Sequence, residues 1–321
     1  RTVCVVSTAD GLVSRTQDEK PPRLSGTAAP SFLLQANTRD TLFLVAENGE
    51  AAGIPMHSLP ESESPQDGTP LHKVSALSEG DKLAALFTLP QRDDRAEGWF
   101  VFTATRQGQV KKTPLEEMPG ATGRPFTLAK VNDGDQLGWV RLTSGKDEVL
   151  LVTADGMAIR FSEEDVRPMG LVAAGVGGIK LGARDEIVGM ELIPKRGEVL
   201  LVASDGKAKR VPAEQFPQQG RYGQGVIAWK LPRTTQVVGM AAGKGKRMKN
   251  PDRSKVMHEI GGRPLIEHVV NLAFEIDSQI IVPIVGHQKQ SVIDFISNKF
   301  SEKKERIRFA HQDTQLGTGH A

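Results

Sequence analysis

Short apolar runs and glycine-bearing turns alternate along this chain at nearly constant intervals. Two segments align without a gap, "EVLLVTADGMAIRF" (148–161) and "EVLLVASDGKAKRV" (198–211). Each has an apolar run, an Asp-Gly turn and a second run in which apolar and polar positions alternate. The pattern predicts a β-hairpin, because glycine supplies the positive φ of a tight turn without a Cβ clash. Weaker copies occupy "VCVVSTADGLVSRT" (3–16), "TLFLVAENGEAAGI" (41–54) and "WFVFTATRQGQVKKT" (99–113). Across the five copies the turn glycines are Gly11, Gly49, Gly108, Gly156 and Gly206, spaced 38, 59, 48 and 50 residues apart. A strand repeat of about 50 residues predicts a propeller-like array of about five blades. Pro- and Gly-rich stretches such as "LPESESPQDGTP" (59–70) and "MPGATGRP" (118–125) read as surface connections.

The plan changes near residue 240. "EIVGM" (186–190) and "QVVGM" (236–240) are copies fifty residues apart, but "MKNPDRSK" (248–255) follows the second and cannot be a strand. Beyond it the pattern is glycine-rich loop, helix, strand, helix, strand. Leu265, Ile266, Val269, Val270, Leu272, Ala273 and Ile276 form a helical apolar stripe. "SQIIVPIVG" (278–286) reads as a parallel strand covered on both faces. Val292, Ile293, Ile296 and Phe300 mark a second helix, and "RIRFA" (306–310) a further strand. The expected fold is therefore multi-domain: an all-β, propeller-like repeat domain over 1–236, then an incomplete α/β, Rossmann-like fragment over 237–321.

Composition adds little. Charged residues are 25% and hydrophobic residues 38%, ordinary for a soluble globular protein. No apolar run reaches the roughly 20 residues of a membrane-spanning helix. The start, "RTVCVVSTADG", is no signal peptide, and with Arg at position 1 the expectation is of a fragment. The single cysteine, Cys4, rules out an intrachain disulfide, suits a cytoplasmic setting and reads as core packing. Net charge is −4 over 1–120, +2 over 121–235 and +4 over 236–321. No region has the excess needed to bind nucleic acid by bulk charge, so any DNA contact requires a local stripe.

One stripe is visible. The fourth position after the turn glycine holds Arg15, Gly53, Lys112, Arg160 and Arg210; the third adds Lys111 and Lys209, and Lys207 follows Gly206 directly. Basic residues on outward strand positions would track phosphates, which need charge spacing rather than base-reading geometry. On spacing alone the solvated outer face of a sheet competes with that reading. No catalytic constellation is complete. His258, His268, His287, His311 and His320 include no pair at metal-ligand spacing beside a carboxylate.

Two resemblances follow from these residues. "ASDGKAKRVPAEQF" (203–216), "GVGGIKL" (175–181) and "GQGVIAWKL" (223–231) resemble the C-terminal β-pinwheel of the DNA gyrase A protein. That resemblance covers about residues 1–240. It implies a non-enzymatic module that contacts duplex DNA, beside a gyrase-type catalytic core upstream of residue 1 and its ATPase subunit. The family's basic, glycine-rich wrapping box corresponds here to "PPRLSGTAAP" (21–30), which has one arginine and no glycine run, so contact is expected without wrapping.

"MAAGKGKRM" (240–248), "SKVMHEIGGRPLIEHV" (254–269) and "HQDTQLGTGHA" (311–321) resemble the N-terminal domain of N-acetylglucosamine-1-phosphate uridylyltransferase. The resemblance implies UTP and Mg²⁺ as ligands. Met240, Ala241, Ala242, Gly243 and Arg247 would hold phosphates, Lys255 would touch the nucleotide, and Gln312, Gly317 and Thr318 would meet base and ribose. The family's metal-binding aspartate lies beyond residue 321, so no turnover is expected. The alternative to a DNA-binding module is thus an enzyme making UDP-N-acetylglucosamine.

Overall fold

The computed structural model describes residues 1–22, 30–91, 94–95, 97–194, 197–243, 259–260, 263–275, 278–285 and 289–311. It contains two compact units, Arg1–Lys244 and Gly245–Ala321.

In the first unit each repeat builds a hairpin, and each after the first then sends a short strand back to the preceding sheet. Strands β1 (Thr2–Ser7) and β2 (Leu12–Arg15) pair as a hairpin, and β3 (Phe32–Asn37) lies on β1. The next hairpin is β4 (Thr41–Ala46) with β5 (Glu50–Pro55). The chain then reaches back, and β6 (Thr69–Pro70) pairs with β2. A single helical turn, α1 (Leu71–Val74), leads to β7 (Leu83–Leu89), which lies on β4.

The cycle repeats three times. Hairpin β8 (Phe100–Thr105) and β9 (Gln109–Pro114) is followed by β10 (Phe126–Thr127) on β5 and β11 (Leu137–Thr143) on β8. Hairpin β12 (Glu148–Thr153) and β13 (Met157–Ser162) is followed by β14 (Val176–Gly177) on β9 and β15 (Ile187–Leu192) on β12. Hairpin β16 (Glu198–Ala203) and β17 (Ala208–Pro212) is followed by β18 (Val226–Ile227) on β13 and β19 (Val237–Gly243) on β16. Among the described residues blades 1 to 4 therefore have four strands, the outermost donated by the next repeat, and blade 5 has three.

All five turn glycines have φ between 77° and 86°, the region that only a residue without Cβ enters freely. Apolar cores lie between blades, because successive strand residues face opposite sides. Val149 and Leu151 of β12 join Phe102 and Ala104 in one core, while Leu150 and Val152 join Val199 and Leu201 in the next. Cys4 is buried, as expected, and burial raises its thiol pKa.

The boundary between the units falls at Lys244 rather than at 236. Strand β19 stays hydrogen-bonded along β16 to its end, from Ala203↔Val237 to Glu198↔Gly243. In the second unit a short hairpin joins Glu259–Ile260 to Arg263–Pro264. Helices α2 (Leu265–Glu275) and α3 (Lys289–Lys299) follow, with a short strand, Ile284–Val285, between them. That strand pairs in parallel with Ala310–His311. Val270, Val285, Val292, Ile296 and Phe300 form the core. Among the described residues the parallel pairing has two strands, short of the doubly wound sheet expected for an α/β domain.

Candidate nucleic-acid interface

The basic position four residues after each turn glycine has its partners inside the protein. Each repeat after the first follows its second hairpin strand with a 3-10 turn, at Met56–Ser58, Leu115–Glu117, Glu163–Asp165 and Ala213–Gln215. The turn's own backbone reaches some of its carbonyls, Val166 N–H donating to Glu163 O at 3.0 Å and Phe216 N–H to Ala213 O at 3.2 Å, and each carbonyl keeps a second lone pair. The cation of the preceding blade fills it. Arg15 Nε donates to Leu59 O at 2.7 Å, Lys112 Nζ to Glu163 O at 2.8 Å, and Arg160 Nη1 to Ala213 O and Phe216 O at 3.2 and 3.1 Å. Arg15 also pairs with Glu61 at 2.6 Å, and Arg160 with Glu148.

Blade 2 confirms the logic by its exception. Its fourth position is Gly53, where an added Cβ would lie 2.8 Å from Gly120 O. The equivalent carbonyls, Leu115 O and Met118 O, accept instead from Arg95 Nη1 at 3.1 and 2.6 Å. Lys111, at the third position, is also internal: it is fully buried, with Nζ donating to Leu128 O and Leu171 O at 2.6 and 2.5 Å. Burial, partly offset by Glu117, lowers its pKa to about 8.

The expected phosphate-tracking stripe is therefore not a surface. Arg15, Lys111, Lys112 and Arg160 hold neighbouring blades together. Of the seven residues only Lys207, Lys209 and Arg210 are exposed, all in blade 5. Even there Lys207 pairs with Asp205 at 2.7 Å, Arg210 with Glu198 at 3.2 Å, and Lys209 Nζ donates to Ala228 O at 2.9 Å.

A different set of lysines faces solvent. Beside each returning strand one residue donates its N–H to the carbonyl of the preceding hairpin's turn glycine. The four pairs are Leu71 to Gly11, Leu128 to Gly49, Gly178 to Gly108 and Ala228 to Gly156. Two residues beyond these donors stand Lys73, Lys130, Lys180 and Lys230, all exposed and none with a side-chain ion pair or hydrogen bond among the described residues. They occupy one register position in four successive repeats. The sequence signal was a lysine recurring every fifty residues (130, 180, 230), which counting outward from the hairpin turns passes over.

The nucleotide loop expected after residue 240 takes another form. Met240, Ala241, Ala242 and Gly243 are strand residues opposite Leu201, Leu200, Val199 and Glu198. A phosphate loop requires successive backbone amides that converge on one anion, and the amides of an extended strand point alternately to its two sides. Arg247, Lys255, Gln312, Gly317 and Thr318 lie outside the described residues, as do residues 23–29 of the wrapping-box region.

Comparison with known proteins agrees with the β-repeat. The family described as "DNA gyrase C-terminal domain, beta-propeller" matches residues 100–143, 147–194 and 197–240. The DNA gyrase A protein of Klebsiella oxytoca is 38% identical over 169 residues, 53% of this chain and 19% of that protein. Its counterpart in Salmonella typhimurium is 40% identical over 158 residues, 49% of this chain and 18% of that protein. The chain thus spans about a fifth of the length of these curated relatives. Among solved structures, the C-terminal domain of DNA topoisomerase IV superposes with a TM-score of 0.65 at 27% identity, covering 76% of this chain and 78% of that one. The C-terminal domain of E. coli ParC shares the fold, with a TM-score of 0.60 at 13% identity over 75% of this chain and 98% of that one. Over its β-repeat this chain is thus similar to the C-terminal domains of the DNA gyrase A protein and of DNA topoisomerase IV.

Proposed function

We propose that the first unit binds duplex DNA without reading its sequence, as an accessory module beside a gyrase-type catalytic core and its ATPase subunit. The observation that carries this reading is the set of Lys73, Lys130, Lys180 and Lys230, exposed at one register position in four successive repeats. Repeated single charges suit a repeating phosphate backbone, and contacts of this kind position a duplex without specifying bases. The wrapping-box region, 21–30, carries one arginine and no glycine run, so the proposal is contact without wrapping.

The test is duplex affinity measured across a salt series. Each phosphate contact contributes about −0.9 to the slope of log affinity against log salt, so changing all four lysines to alanine flattens that slope by roughly three to four. An unchanged slope moves the DNA site elsewhere. For the residues beyond 244, a UTP- and Mg²⁺-binding uridylyltransferase fragment stays a proposal supported by sequence motifs alone.

A further inference from the structure

Tyr222 is the one tyrosine of the chain, and among the described non-glycine residues it alone has a positive φ, 62°. That backbone region is unfavourable for an L-residue, so surrounding contacts must impose it. They do so on both sides. Tyr222 N–H donates to Gly178 O at 2.7 Å, and Gly223 O accepts from the N–H of Lys180 at 2.9 Å. Arg221 braces the same turn by donating to Asp165 O at 2.9 Å and Gly177 O at 3.1 Å.

The ring rests on bare backbone. A Cβ added to Gly177 would lie 2.2 Å from Tyr222 Cδ2 and 2.4 Å from Cε2. With one face on this glycine the residue is still 57% exposed. The preceding repeat shares one of the backbone bonds of this turn. Val172 stands at the equivalent tip, 73% exposed, and Ala173 O accepts from the N–H of Lys130 at 3.2 Å. Two of the four exposed lysines are therefore each hydrogen-bonded, through the backbone, to a turn that presents an apolar side chain to solvent.

We propose that Tyr222, with Val172 in the lesser role, packs against the deoxyribose edge of the duplex whose phosphates Lys180 and Lys130 hold. The inference rests on the DNA-binding reading and deepens it. Along a strand the group next to each phosphate is an apolar sugar, so an apolar tip tied to a phosphate-holding lysine meets the backbone at both kinds of group. A ring pre-set by its backbone loses little freedom on contact, and burying apolar surface adds affinity that salt does not screen.

The test uses Tyr222→Gly, which keeps the positive φ and both backbone hydrogen bonds and removes only the ring. Expected is a loss of duplex affinity of about threefold to tenfold, from the apolar area no longer buried, the same at every salt concentration. The slope against log salt stays that of the parent chain. Gly177→Ala, which displaces the ring while leaving Tyr222 in place, gives a similar loss, with thermal melting showing that both variants remain folded. Parental affinity in Tyr222→Gly overturns the inference and leaves the lysine site standing. A loss that appears only as a changed salt slope, or only with single-stranded DNA, also overturns it. Absence of duplex binding by the parent chain overturns the DNA-binding reading and this inference together.

Discussion

Blades 4 and 5 carry the same fourteen-residue pattern and bury it differently. Leu150 is 0% exposed and its counterpart Leu200 is 41% exposed. The Arg160 side chain is 15% exposed against 52% for Arg210. Both hairpins have the same strand register, Leu150↔Arg160 and Leu200↔Arg210, so local geometry does not explain the contrast. The neighbours do. Strand β12 is covered on one face by blade 3 and on the other by blade 5, and β13 receives the donated strand β18. Strand β16 has its Val199 and Leu201 face covered by blade 4, and among the described residues β17 receives no donated strand. In a strand-exchanged repeat a sequence specifies which faces are apolar, and the next repeat decides which of them are buried.

The largest expected difference is at the paired leucines. Leu150→Ala empties space in a closed core and should cost about 2–5 kcal/mol in chemical denaturation. Leu200→Ala removes a side chain already in partial contact with water and should cost less than about 1 kcal/mol. Equal costs would mean that blade 5 is covered on both faces in solution.

That contrast also sets what the sequence could show. The five hairpins and their turn glycines were legible because alternation over five or six residues, broken by Asp-Gly, Asn-Gly or Gln-Gly, has a local physical cause. The returning strands β6, β10, β14 and β18 were not, because two residues are too few to show a period. The basic stripe misled for a related reason. A lysine or arginine on a strand reads as outward-facing, yet the carbonyls that bind Lys112 and Arg160 belong to turns about fifty residues downstream. At residue 240 an apolar strand running into a glycine-rich loop served both readings, and only its pairing with β16 assigns Met240–Gly243 to the pinwheel.

The paired arginines sharpen the comparison with a smaller effect. Arg160→Met leaves Ala213 O and Phe216 O without their charged donor, and losing such bonds in a part-buried site costs about 1–3 kcal/mol. Arg210→Met breaks an exposed ion pair with Glu198 and should fall within about 0.5 kcal/mol of the parent. Arg95→Met should resemble Arg160→Met, since it removes the charged donor from the equivalent carbonyls of blade 3, which follows the blade whose fourth position is glycine. If Arg95→Met and Arg160→Met are as mild as Arg210→Met, these cations do not tie the blades, and a surface role for Arg160 regains weight. Thermal melts of the three variants decide it.

The last contrast is one of pH dependence, and it separates the third position of blade 3 from that of blade 5. Burial lowers the Lys111 pKa from 10.5 to about 8. In the unfolded chain the amine keeps its proton up to the ordinary lysine value, whereas in the folded chain it gives the proton up near pH 8. Between those values the unfolded state binds more protons, so stability rises with pH there. Below about pH 8 both states are protonated, the cost of burying the ammonium is fully present, and stability no longer changes on this account. Melting midpoints taken from pH 7 to pH 10 should therefore rise in the parent relative to Lys111→Met, in which the group is gone. Lys209→Met, at the exposed counterpart, should leave that rise intact. Identical profiles in the parent and Lys111→Met would show that water reaches the Lys111 amine, and the difference between an enclosed blade 3 and an open blade 5 would then be smaller than their side-chain burial indicates.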